Sequence, residues 1–110
     1  MAADFASLEV ALDNYIADVQ SVIPLKKVYL FGSYAKGTAT SDSDIDLCFF
    51  TDDLDEAKIV DTVAQLLGLA RKYYAYASFE PHVFSVDDLE TDNPFVKEVL
   101  RTGQEISLSV

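Results

Sequence analysis

The apolar residues of this chain switch repeatedly between two spacings, and that switching constrains the fold more than any other feature. Leu8, Leu12, Tyr15, Ile16 and Val19, with Phe5 ahead of them, recur at steps of three and four. That is the stripe of an amphipathic helix, and Pro24 ends it. Val28-Tyr29-Leu30-Phe31 is a short β-branched and aromatic run broken by Gly32-Ser33, which predicts a strand. Residues 34–43 hold Gly37, Asp42 and a cluster of Thr and Ser, and read as loop with at most one helical turn. Residues 45–50 predict a second strand. Ile59, Val60, Val63, Leu66, Leu67 and Ala70 return to helical spacing and predict a long helix reaching about Lys72. Asp53 and Glu56 stand as a capping box at its start. Residues 78–84 predict a third strand. Pro81 inside it cannot donate to a ladder, so this strand belongs at a sheet edge. Residues 94–101 predict a last short helix, stopped by Gly103.

This order predicts an α/β fold: an αβαβαβ core with a small mixed three-stranded sheet flanked by helices. The link between the first two strands is too short to require a parallel crossover. A chain of 110 residues is expected to form one domain over 1–110. Charge narrows the partners. Nineteen acidic residues face eight basic ones, for a formal net charge of −11. Such a surface repels phosphate backbones and anionic membranes, so direct nucleic-acid binding and a membrane partner are not expected, whereas a basic protein fits. Cys48 and His82 are the only residues of their kinds, which excludes an internal disulfide, a cysteine-based zinc site and paired-histidine metal motifs. The first residues lack the pattern of a signal peptide, and no apolar run nears the ~18 residues of a membrane span. A cytoplasmic location is the expectation, and an oligomer is compatible with it.

The chemistry concentrates between Gly32 and Leu47, in Gly-Ser-Tyr-Ala-Lys-Gly-Thr-Ala-Thr-Ser-Asp-Ser-Asp-Ile-Asp-Leu. Asp44 and Asp46 are two residues apart at the start of a strand, so their side chains share a face and stand ~6.5–7 Å apart along the chain. Ile45 between them turns to the core. Two carboxylates at that separation can lean together over hard cations, since paired catalytic metals lie ~3.5–4 Å apart with ~2.1 Å bonds to oxygen. Gly32-Ser33 ends the preceding strand and opens a turn, where backbone N–H groups and the Ser33 hydroxyl can meet phosphate oxygens. Lys36 can add a positive charge. Each piece alone is an ordinary turn or Asx loop. At ~5–7% for each of Gly, Ser and Asp, the full Gly-Ser-x10-Asp-x-Asp spacing arises by chance about once in a thousand chains of this length, and that decides for the joint reading.

The same residues carry a resemblance. Gly32-Ser33, ten residues, then Asp44-x-Asp46 resembles the signature of the polymerase-beta-like nucleotidyltransferase superfamily, and most closely its minimal nucleotidyltransferases. Those small proteins are often encoded beside a HEPN-domain protein, and several such pairs act as toxin and antitoxin. The resemblance implies transfer of a nucleoside monophosphate, AMP from ATP or another NTP, to a hydroxyl, with two Mg²⁺ ions. It implies that Gly32 and Ser33 contact the triphosphate, with Lys36 nearby, and that Asp44 and Asp46 are metal ligands. It places the third carboxylate on the next strand, where Glu80 stands in a position that is often Asp. One ion would sit on Asp44, Asp46 and Glu80, the other on Asp44 and Asp46. It also implies that the acceptor is bound by, or belongs to, a partner protein of the HEPN type. The rival expectation is a module of the same fold that masks a basic partner with little or no catalysis.

Other residues have plainer readings. His82 shares the face of Glu80 and reads as a bystander on the strand surface. Tyr73, Tyr74 and Tyr76 read as partly core, with a partner surface as the alternative. Arg71 and Lys72 suit a helix C-terminus, and Cys48 suits a small buried apolar site.

Overall fold

The computed structural model describes residues 5–40, 42–52 and 54–108. The first stripe folds as α1 (Phe5–Gln20) and buries Ala11, Tyr15, Ile16 and Val19. The Phe5 side chain lies outside the described part. After β1 (Leu25–Phe31) come the single turn α2 (Ser33–Lys36) and β2 (Ile45–Thr51). A short 3₁₀ turn leads into α3 (Ile59–Ala70), and another, Arg71–Tyr73, leaves it. β3 (Phe79–Ser85), a 3₁₀ turn, α4 (Pro94–Thr102) and β4 (Gln104–Ile106) complete the order. Asp53 of the expected capping box lies outside the described residues. The cap present is Asp55, whose carboxylate accepts from the Ala57 N–H at 3.0 Å.

The sheet runs β3-β2-β1-β4. β1 is antiparallel to both β2 and β4, and β2 is parallel to β3. The sheet is mixed, as expected, and β3 with Pro81 is an edge, where one side has no ladder to break. The expected three strands gain a fourth. β4 pairs with β1 through Val28↔Ile106 and Leu30↔Gln104. Gln-Glu-Ile has no strand period of its own; the open edge of β1 makes it a strand.

Gly103 is the hinge between α4 and β4, and it stops the helix as expected, in an extended conformation. Its φ of −83° and ψ of 172° are extended, and its N–H donates to the Val99 carbonyl at 2.7 Å. A Cβ here would stand 2.6 Å from that carbonyl oxygen and 2.9 Å from the oxygen of Leu30. Glycine is needed because helix end and strand pass so close, a requirement no local pattern announces.

Strand parity assigns the two faces. Ile45, Leu47 and Phe49 of β2 join Tyr15, Val19, Leu66, Ala70, Phe79 and Val83 in the core beneath α1 and α3. Cys48 and Phe50 face the other way, onto Val96 and Val99 of α4. Tyr15 centres the first core. It stacks on Phe79 at 4.7 Å between ring centroids and meets Phe49 and Tyr73 edge-on. Its hydroxyl donates to the Leu66 carbonyl at 2.8 Å, which satisfies the one polar atom such a ring carries inside. Cys48 is buried, and burial pushes its thiol up to about 12, so it is a packing residue.

The tyrosine cluster divides. Tyr73 is buried, while Tyr74 and Tyr76 are 58% and 53% exposed. Lys72 does more than suit a helix end: its ammonium lies 2.8 Å from the Asp18 carboxylate, which also accepts from the Tyr73 hydroxyl, tying the exit of α3 to α1. Desolvation raises the pKa of Asp18, but these hydrogen bonds outweigh it and hold the carboxyl below its ordinary value. Among the described residues no helix is long and apolar enough to cross a membrane.

Candidate active site

The end of β1 and the start of β2 meet because the strands are antiparallel, and β3 brings its own start alongside. Asp46 therefore lies between Phe31 of β1 and Glu80 of β3, paired in register with each. By parity its side chain shares the face of Cys48 and Phe50, the side covered further along by α4. The site sits where that cover ends.

Gly32 forms one wall. Its φ of 74° and ψ of −152° fall in a region essentially reserved for glycine. A Cβ added there would fall on an oxygen of the Asp46 carboxylate, with Asp46 Cγ only 3.2 Å away. The backbone of the Gly32-Ser33 turn is thus laid directly against Asp46. Ser33 is the first residue of α2, and Lys36, the last, is exposed. Its charge is felt on α4: Glu98 is held below its ordinary pKa first by hydrogen bonds from Arg101 and more weakly by the charge of Lys36.

The carboxylates differ in environment. Asp46 is half-buried, whereas Asp44, ahead of β2, and Glu80 are exposed. Burial raises the pKa of Asp46 above the ordinary carboxylate value. The neighbouring Glu80 raises it further, Asp44 adds a smaller push the same way, and His82 opposes them. Like charges converge here without an ammonium or guanidinium among those causes, an arrangement that a bound cation relieves.

One member of the site was passed over in the sequence. His82 Nε2 lies 4.0 Å from Asp46 Oδ1. Ligand atoms of Asp46, Glu80 and His82 all lie within 4.8 Å of one another. Two ligands on one ion with ~2.1 Å bonds can stand at most ~4.2 Å apart, so small side-chain adjustments would bring these three onto a single cation. The donor set fits a divalent metal. Asp44 precedes β2 and is not one of these three, although its charge acts on Asp46. The available signal was parity, since His82 is two residues beyond Glu80 on one strand. Its approach to Asp46 depends on the parallel pairing of β2 and β3, which no spacing in the sequence reveals.

Comparison with known proteins gives the family. The family model for the nucleotidyltransferase domain matches residues 12–103. This chain belongs to that family. Solved structures share its nucleotidyltransferase fold. A candidate nucleotidyltransferase from Sulfolobus solfataricus aligns with a TM-score of 0.62 at 21% identity, over 91% of this chain and 78% of that one. A toxin–antitoxin structure with AMP-PNP aligns at 0.57 and 21% identity, over 88% of this chain and 73% of that one. A mutant of the toxin–antitoxin MntA-HpeT aligns at 0.55 and 19% identity, with the same two coverages. No curated protein matches. Nucleotidyltransferases are enzymes that use an NTP and a divalent metal, and the donor set at Asp46 suits that chemistry.

Proposed function

We propose that this nucleotidyltransferase moves AMP from ATP, with Mg²⁺, onto a hydroxyl of a partner protein. The observation that carries the reading is the direct pairing of Asp46 with Glu80 across parallel strands, with the Gly32 turn packed on Asp46. Asp44, Asp46 and Glu80 would hold one ion, and Asp44 with Asp46 a second. Bound there, divalent ions neutralise triphosphate charge and acidify the acceptor hydroxyl. The Gly32-Ser33 backbone and the Ser33 hydroxyl orient the phosphates, and Lys36 draws the nucleotide toward the turn. The acceptor oxygen attacks the α-phosphorus as the bond to pyrophosphate breaks, and its proton passes to the exposed Glu80 carboxylate.

A HEPN-type protein in a toxin–antitoxin pair is the acceptor this reading favours. Toxin–antitoxin structures are among the structural neighbours, one of them with AMP-PNP. The net charge of −11 favours fast, salt-sensitive association with a basic partner and disfavours nucleic acid. The single chain 1–110 acts as one domain on this reading, in the cytoplasm.

Calorimetry with ATP tests the site without needing the acceptor. ATP binds in Mg²⁺, and removing the ion with EDTA weakens binding at least about tenfold, because the triphosphate then faces three bare carboxylates. Equal affinity in EDTA would overturn the metal-bridged reading.

A further inference from the structure

We infer that His82 is a metal ligand, and that Asp46, Glu80 and His82 form a mixed nitrogen–oxygen site selective for Mn²⁺, Co²⁺ or Zn²⁺ over Mg²⁺. The inference deepens the proposed function, on which it rests, by naming the class of ion that one position of the site takes.

The geometry places the imidazole for this role. Glu80 and His82 are two residues apart on β3, so both side chains stand on the face that carries Asp46. The ring packs in a three-ring cluster, 5.1 Å from the centroid of Phe31 and 5.4 Å from that of Phe95, which also touch each other. Those contacts restrict the ring while its Nε2 edge approaches Asp46 Oδ1 at 4.0 Å. Adjacent ligands on one ion with ~2.1 Å bonds stand ~3.0–3.4 Å apart, so an ion would draw this pair together by less than ~1 Å. Three protein ligands leave positions open for water or a phosphate oxygen, as catalytic metal sites require.

Ligand chemistry sets the selectivity. Mg²⁺ demands oxygen donors and gives up its water reluctantly, whereas imidazole suits later divalent ions. No second imidazole and no accessible thiol competes among the described residues. Cys48, the only cysteine, is buried, and His82 is the only histidine. Any nitrogen ligation by a histidine therefore comes from one identifiable ring.

The test is ¹⁵N NMR of the whole chain, titrated with Zn²⁺ and separately with Mg²⁺, alongside calorimetry of His82→Gln. Zn²⁺ moves the Nε2 resonance of the single imidazole and saturates at one ion per chain, while Mg²⁺ leaves the ring unmoved. His82→Gln weakens Zn²⁺ binding by at least about tenfold and changes Mg²⁺ binding by less than about threefold. Zn²⁺ bound with the imidazole unmoved, or bound equally by His82→Gln, would overturn the inference. The wild-type spectrum reports ligation directly, so the NMR result stands even if the variant is destabilised. The transfer reading fails separately: an intact zinc response with no binding of ATP in Mg²⁺ would sink that reading and leave the ion site standing.

Discussion

Asp46→Asn lowers nucleotidyl transfer by about 10²–10³-fold or more, the scale of losing a principal electrostatic contact in a transition state. The substitution keeps the shape of the side chain and removes the charge shared by both proposed ion positions. Stability moves the other way. The raised pKa of Asp46 means that its ionised form is penalised in the fold by burial and by Glu80. Because the folded pKa lies above the unfolded one, the penalty is absent below the unfolded value and is fully present once pH rises past the folded value. Asn carries no such penalty, so in metal-free buffer near neutral pH the variant is as stable as wild type or more so. Urea melts in EDTA check this, and adding Mg²⁺ narrows or reverses the difference by stabilising only the wild type. A variant that unfolds in EDTA while wild type stays folded would make Asp46 a structural residue.

Gly32→Ala is expected to destroy the same site by a different route. The residue occupies a backbone region that costs non-glycine residues about 1–3 kcal/mol, and its new methyl would overlap the Asp46 carboxylate. Either the turn shifts away from Asp46 or Asp46 is driven off Glu80, and both outcomes separate the phosphate-binding turn from the carboxylates. The expected result is a folded protein, destabilised by about 1–3 kcal/mol, whose binding of ATP in Mg²⁺ falls at least about tenfold. Unchanged nucleotide affinity in a folded Gly32→Ala protein would separate the turn from the site.

The sequence made much of this architecture readable, for physical reasons that also mark where reading stops. Tyr15, Val19, Leu66 and Ala70 lie at helical spacing because one side of each helix must be dry, and they are among the buried residues of α1 and α3. Pro81 foretold an edge strand because a missing N–H can be tolerated only there. The Gly32-Ser33 and Asp44-x-Asp46 spacing is local and directional, so it identified a turn and a strand start that the fold brings together. β4 was invisible because its strand character comes from β1 rather than from Gln104, Glu105 and Ile106. The place of His82 was invisible because strand register decides it. Tyr74 and Tyr76 could not be told from Tyr73 until the turn after α3 buried one ring and left the others outside.

Transfer to a partner protein is decided by intact mass: that of the partner co-purifying with this chain, measured before and after incubation with ATP and Mg²⁺. The expected result is a gain of ~329 Da per AMP transferred, blocked by EDTA and absent when the complex is made with Asp46→Asn, although that complex still forms because interface packing rather than the ions holds it. A stable partner whose mass does not change with the wild-type chain, under conditions where that chain binds ATP, would contradict transfer to the partner and leave a masking module of the same fold.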